Sequence, residues 1–224
     1  IQEKTRFNAE VCGAHFDQDK ALWTLDLKDG SQVVCQHWVL ASGPLHVPQI
    51  PNFPGLYRFK GKVFHSSQWD YDYDLTGQQV VSVGTGASAI QYVPQIAPEV
   101  ARLTVVQHTP GWIIPRDERT YSKLSKSLFR RFPLLRKLHR VRLYWSNESR
   151  VVPIFHPRLA GLLEKVVKQF IRFQVKDKDT ARKLTPSYTL GCKRIMISNR
   201  YYPTFNRDNV ELVTEGVKEV REHS

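Results

Sequence analysis

An α/β fold, with an antiparallel β-rich first part and a parallel sheet later, follows from three observations on this 224-residue chain. Gln79–Val83 (QVVSV) is a short apolar run that passes directly into the glycine-rich turn GTGASA. AIQYVPQIA then has helical spacing, and LTVVQ at 103–107 is a second apolar run; strand, Gly-rich turn, helix, strand begins a parallel βαβ unit. Upstream, EVCGAHF, ALWTLDL and SQVVC are short apolar-rich runs with a Lys28-Asp29-Gly30 turn before the last, a hairpin signal.

In chain order, residues 6–41 read as β-rich, closing with WVLA at 38–41 as a short buried strand. ASGPLHVPQIPNFPGLY carries four prolines, which remove backbone donors and force extended or turn conformations, so it reads as a linker. Pro94 is expected to kink or shorten the helix after the glycines. A helix is predicted from Pro133, with Leu134, Leu138, Val141 and Trp145 on one apolar stripe. A second is predicted from Arg158 to about Val175, burying Leu159, Leu163, Val166, Phe170 and Phe173. From Gly191 onward the pattern is loop and short strands. Residues 1–50, 51–76 and 77–224 thus form a first domain part, a linker and a second domain, with a helical insertion at about 117–185.

The composition is that of a globular protein, 41% hydrophobic and 24% charged. No apolar run approaches the roughly 18–20 residues of a membrane span. Cys12, Cys35 and Cys192 lie far apart with no CxxC, which argues against a disulfide framework, a zinc site or a dithiol centre and favours a reducing, cytoplasmic compartment; no metal site is expected. The net charge of +12 is concentrated: residues 116–150 hold 11 Lys or Arg against 3 acids. Packing within the insertion is the reading its narrow apolar stripe favours, with peripheral membrane contact and nucleic acid as alternatives.

Gly84-Thr85-Gly86-Ala87-Ser88-Ala89 has the spacing of a dinucleotide turn. Gly84 permits the tight turn, Gly86 lets backbone approach a pyrophosphate, Ala89 lets the helix pack closely, and N–H groups at the helix start face the anion. A structural glycine turn is the alternative. The following strand ends in Gln107-His108-Thr109, without the acid that grips a ribose 2′-hydroxyl; a histidine and a hydroxyl do not repel a 2′-phosphate, which favours NADP.

Residues 59–70, FKGKVFHSSQWD, place Phe59, Gly61, His65 and Trp69 in the pattern FxGxxxHxxxW. This resembles the fingerprint of the Baeyer–Villiger monooxygenases, a branch of the class B flavin monooxygenases that use FAD and NADPH. ASGPLHVPQIPNFPG is similar to that family's ATG-type turn and linker, VSVGTGASAIQ to its NADPH turn, and GCKRIMISNRYYPTFNRDNVELV to the segment carrying its catalytic arginine. The resemblance implies a Rossmann-like NAD(P)-binding domain with a helical insertion, joined to part of a β-rich FAD-binding domain. It implies that Arg194 is the catalytic arginine, that Lys193 contacts the 2′-phosphate, that Ser42 and Gly43 approach the flavin, and that His65 links domain movement to catalysis. It also implies the chemistry: NADPH reduces FAD, the reduced flavin captures O₂ as a peroxyflavin, and this inserts oxygen into a ketone or aldehyde, or oxidises a sulfide.

The family usually carries arginine where His108 stands, which weakens the expected NADP preference. No GxGxxG turn for FAD precedes residue 84, so the chain reads as the middle of a longer enzyme, expected on its own to hold FAD poorly and to lack oxygenase activity. A heteroatom-oxidising flavin monooxygenase and a non-catalytic NADP-binding remnant are the competing readings.

Overall fold

The computed structural model describes residues 2–43, 47–116, 118, 120–149 and 156–223. Residues 44–46 of the proline-rich segment and residues 150–155 of the insertion lie outside the described residues. The chain forms two compact units, 1–49 and 50–224.

In the first unit, β1 (Val11–Asp17), β2 (Leu22–Leu27) and β3 (Gln32–Cys35) make an antiparallel meander. Asp17 closes the first turn, its carboxylate accepting from the Asp19 and Lys20 amides (both 3.1 Å). The second turn uses the predicted glycine, Gly30 at φ 81°, and the Leu27 amide donates to the Ser31 carbonyl (2.9 Å). Phe16 pairs with Trp23 across the strands, and Trp38 packs edge-on against Trp23 at 5.5 Å. The expected WVLA strand is corrected: 38–41 pairs with no strand among the described residues, and Val39 and Leu40 are 81% and 73% exposed. An isolated apolar run has no ladder to satisfy its backbone, and Trp38 is held by its edge-on contact with Trp23.

In the second unit, β4 (Gln79–Val83), β5 (Arg102–Val106) and β8 (Val210–Val213) form a parallel sheet in the order β4-β5-β8. Helix α1 (Ala89–Ile96) crosses from β4 to β5, burying Ala89, Ile90, Val93 and Ile96 against Leu103 and Val105. It is eight residues long, with Pro94 inside it and the helix continuing to Ile96. A smaller parallel pair, β6 (Ile113–Ile114) and β7 (Met196–Ile197), forms a separate two-stranded sheet whose strands precede and follow the insertion in sequence.

The insertion is helical. It contains α2 (Lys123–Arg131), α3 (Pro133–Glu148), α4 (Pro157–Gln174) and α5 (Lys178–Lys183). Its packing differs from expectation in two ways. On α4 the buried line is Ala160, Val167 and Ile171, with Leu163 and Phe170 partly buried; Leu159, Val166 and Phe173 are exposed. Apolar residues occur almost all round α4, so two stripes sharing Leu163 and Phe170 were available. The core chose the one that puts Phe170 against Tyr202 (6.1 Å) and the Glu164 carboxylate under the Leu190 amide (2.9 Å). On α3 the stripe Leu134, Leu138, Val141 and Trp145 is not packed within the insertion; all four are exposed. The reason is that α3 meets its neighbours through another side. There His139 stacks against Phe129 (5.2 Å), and Tyr121 Oη lies 2.9 Å from His139 Nε2.

The last stretch adds a short helix, α6 (Tyr201–Thr204), that loop-and-strand spacing did not suggest. Tyr201 and Tyr202 are fully buried in the core, and that burial pushes both phenols above their ordinary range.

Candidate dinucleotide site

The turn after β4 is built as its residues demand. Gly84 has φ 99°, a conformation that strains any side chain, and its amide donates to the Val106 carbonyl at the end of β5 (2.9 Å). A Cβ on Gly86 would meet nothing within 4 Å, so open space lies in front of the turn. Ala89 is 5% exposed, small enough to let α1 start against the sheet. The amides of Gly86, Ala87, Ser88 and Ala89 have no acceptor among the described residues, and Ser88 precedes the helix without a side-chain cap. Four consecutive unpaired donors at a helix start, before open space, form a cradle for a pyrophosphate.

The next strand end is tied to this turn. Thr85 Oγ1 donates to the Thr109 carbonyl (3.3 Å), and His108 Nδ1 lies 3.0 Å from Thr109 Oγ1. His108 is exposed. The structure therefore gathers Gly84 to Ala89 with His108 and Thr109 at the carboxyl ends of adjacent parallel strands, where such sheets take their ligands.

Lys193 and Arg194 are placed differently. The Met196 amide donates to the Trp112 carbonyl (2.8 Å), which locks β7 to β6 and fixes the segment entering it. Lys193 Nζ lies 4.9 Å from the centre of the Tyr188 ring, and the Tyr188 carbonyl accepts from Trp112 Nε1 (3.0 Å). Arg194 is exposed and has no ion pair or hydrogen bond among the described residues. No bond among the described residues joins either side chain to the glycine turn. Ser42 and Gly43 belong to the first unit; both are exposed, and Gly43 has φ 73°.

The spacing of residues 59–70 has a physical basis. The Phe59 ring covers Gly61 so closely that a Cβ there would overlap it. Lys62 Nζ reaches the Asp70 carboxylate (2.6 Å), and that contact holds the Asp70 carboxyl below the usual carboxylate range. Phe64 meets Trp69 edge-on (5.1 Å), and Trp69 lies against Tyr92 of α1 (5.3 Å), whose hydroxyl is 2.8 Å from the buried Ser82 Oγ of β4. His65 Nδ1 accepts from the Ser67 amide (3.1 Å) and lies 2.8 Å from Ser67 Oγ. Neutral His65 thus carries its proton on Nε2, the nitrogen left free of these contacts. Its observed task is to cap a turn.

Several residues that position the site were not singled out from sequence. Tyr92 is the anvil for Trp69, and three asparagines staple the last stretch. Asn199 exchanges hydrogen bonds with the Arg116 backbone (2.8 Å each). Asn206 donates to the Gln174 carbonyl and accepts from the Lys176 amide, closing α4. Asn209 donates to the Ala97 and Val100 carbonyls behind α1 (2.9 Å each). The only signal for them is their recurrence in the SNRYYPTFNRDN stretch.

A family model described as flavin-binding monooxygenase-like matches residues 18–193. The chain belongs to this family. It is 44% identical over 221 residues to a Baeyer-Villiger monooxygenase of Pseudomonas aeruginosa, covering 98% of this chain and 42% of that protein. It is 43% identical to one of Streptomyces coelicolor, covering 99% and 43%. Among solved structures, a complex of OTEMO with FAD and NADP superposes with a TM-score of 0.80 at 30% identity, covering 99% of this chain and 50% of that one. An oxidised steroid monooxygenase bound to NADP superposes with a TM-score of 0.77 at 29% identity, covering 95% and 47%. This flavin-binding monooxygenase-like chain therefore spans less than half the length of those curated relatives. Its α/β architecture with a parallel nucleotide-type sheet is the one expected from sequence.

His108, exposed just past the end of β5, is the residue to probe. Replacing it by arginine in the full-length protein is expected to raise the kcat/KM ratio of NADPH over NADH by tenfold or more, the order of one charged hydrogen bond. Steady-state kinetics with both nucleotides checks this.

Proposed function

We propose that this chain is the NADP-binding portion, with an adjoining part of the FAD-binding portion, of an FAD- and NADPH-dependent Baeyer–Villiger monooxygenase. The observation that supports it most is the cradle of four unpaired amides from Gly86 to Ala89, in a chain whose linker carries FxGxxxHxxxW. The turn fits the dinucleotide: its donors lack partners among the described residues, and Gly86 leaves room for the pyrophosphate to approach the protein backbone. His108 and Thr109 would face the adenosine ribose, and Lys193 would meet the 2′-phosphate. FAD, when bound, supplies the activated oxygen. Arg194 would hold a fixed, permanently protonated fork near the negative charge that develops during oxygen transfer to a ketone or aldehyde. Through its capped turn, His65 acts as a positioning residue at the join between the linker and α1. Ser42 and Gly43 would approach the flavin from the first unit.

Two measurements test this. Titration calorimetry of this chain with NADP should show binding that Gly86→Val removes, because the added side chain fills the space before the donors; equal binding by the variant would place the nucleotide elsewhere. With the full-length protein, a ketone should yield an ester or lactone with consumption of NADPH and O₂. Oxidation of a thioether without any ester product would assign heteroatom chemistry instead.

A further inference from the structure

We propose that the α2–α3 hairpin is a docking surface for the anionic face of a lipid bilayer. Neither helix buries a single side chain, although together they carry a full apolar stripe. Leu134, Leu138, Val141 and Trp145 are 67%, 57%, 48% and 65% exposed, and Leu124 on α2 is 71% exposed. At 100° per residue the four α3 positions span an arc of roughly 60°, with Lys137 and Arg142 on its two borders.

Charge decides what covers this face. From Lys123 to Glu148 the hairpin has eight Lys or Arg and one acid. None of the eight makes an ion pair among the described residues. Basic side chains elsewhere do find acids, as Lys62 does with Asp70 and Arg102 with Glu211. A second copy of so one-signed a hairpin would be repelled. Nucleic acid would neutralise the cations and leave the stripe in water. A bilayer surface with anionic headgroups satisfies both: phosphates meet the cations while aliphatic and indole groups enter the headgroup boundary. Flanking Lys137 and Arg142 have the long stems that keep a charged end in the headgroups while the stripe sinks. No helix among the described residues is long and apolar enough to cross a membrane, so the hairpin lies on the surface.

The test is sedimentation of the full-length protein with vesicles of phosphatidylcholine, alone or mixed with phosphatidylglycerol. Pelleting is expected only with the anionic mixture and should fall as salt rises. Lys137→Gln and Arg142→Gln should each weaken partitioning by about fivefold. Leu138→Ser combined with Trp145→Ser should weaken it at unchanged charge, and both positions are already in solvent, so folding is preserved. Independently, brominated phospholipid should quench tryptophan fluorescence in the wild type and not in Trp145→Phe. Failure to pellet with anionic vesicles would show that other polypeptide covers the face. Pelleting indifferent to the two serines would reduce the surface to a general polyanion binder. Quenching that persists in Trp145→Phe would put another tryptophan in the bilayer. Each of these overturns the proposal.

Discussion

Arg194→Ala in the full-length protein is expected to lower ester formation from a ketone by about 10²–10³-fold, the usual cost of losing one preorganised group that meets developing charge. NADPH consumption should continue, so that the yield of product per NADPH collapses. The expectation rests on placement. Arg194 stands two residues before β7, whose Met196 amide is bonded to the Trp112 carbonyl and whose strand pairs with β6. Its guanidinium has no acid or carbonyl of the described chain to satisfy it. A free, permanently charged fork on an anchored segment is available to an anion without first breaking a bond. Arg194→Lys separates charge from geometry: it keeps the positive charge and loses the planar fork, so it should recover only part of the rate. Product per NADPH, measured alongside the oxidation rate, decides the matter. Unchanged coupling in Arg194→Ala would remove this residue from oxygen transfer.

What the sequence made legible depends on how local each feature is. β4, the glycine turn and α1 were readable because strand, turn and helix signals lie within twenty residues and the turn needs φ values that glycine supplies, as Gly84 at 99° shows. The Asp29-Gly30 hairpin was readable for the same reason. The placement of Lys193 and Arg194 was not, because it depends on pairing Ile113 with Met196 across the whole insertion. The asparagine staples were unreadable because a polar residue in a loop announces nothing about the carbonyl it will meet. Apolar patterning misled where it marks side chains suited to burial without naming their cover. Val39 and Leu40, the α3 stripe, and Val81 and Val83 on one face of β4 are all exposed. On α4 the pattern supplied too many apolar positions, and only packing against Tyr202 selected among them.

Gly55→Ala is expected to be strongly destabilising, at about 2–4 kcal/mol, although the sequence marks it only as part of a proline-rich linker. Gly55 is buried, has φ 81° and starts the 3₁₀ turn Leu56–Arg58, whose Arg58 amide donates back to the Gly55 carbonyl (2.9 Å). The terminal segment runs alongside: the Val220 amide donates to the Pro54 carbonyl (2.7 Å), the Lys60 amide to the Glu222 carbonyl (2.9 Å), and Lys60 pairs with Glu222. A Cβ on Gly55 would overlap the Val220 carbonyl oxygen, a backbone atom that cannot swing aside as a side chain could. Two costs therefore add: about 1–2 kcal/mol for a left-handed alanine, and a comparable amount for forcing two packed backbones apart. Gly77 separates them. It lies in the same unit at φ 71°, with nothing within 4 Å of where its Cβ would be, so Gly77→Ala bears the conformational cost alone. Thermal unfolding should show Gly55→Ala lowered by roughly 4–16 °C and Gly77→Ala by about half of that. Equal shifts in the two variants would mean that the segment at 220–222 gives way freely, and that its hydrogen bonds to the linker contribute little to holding the unit together.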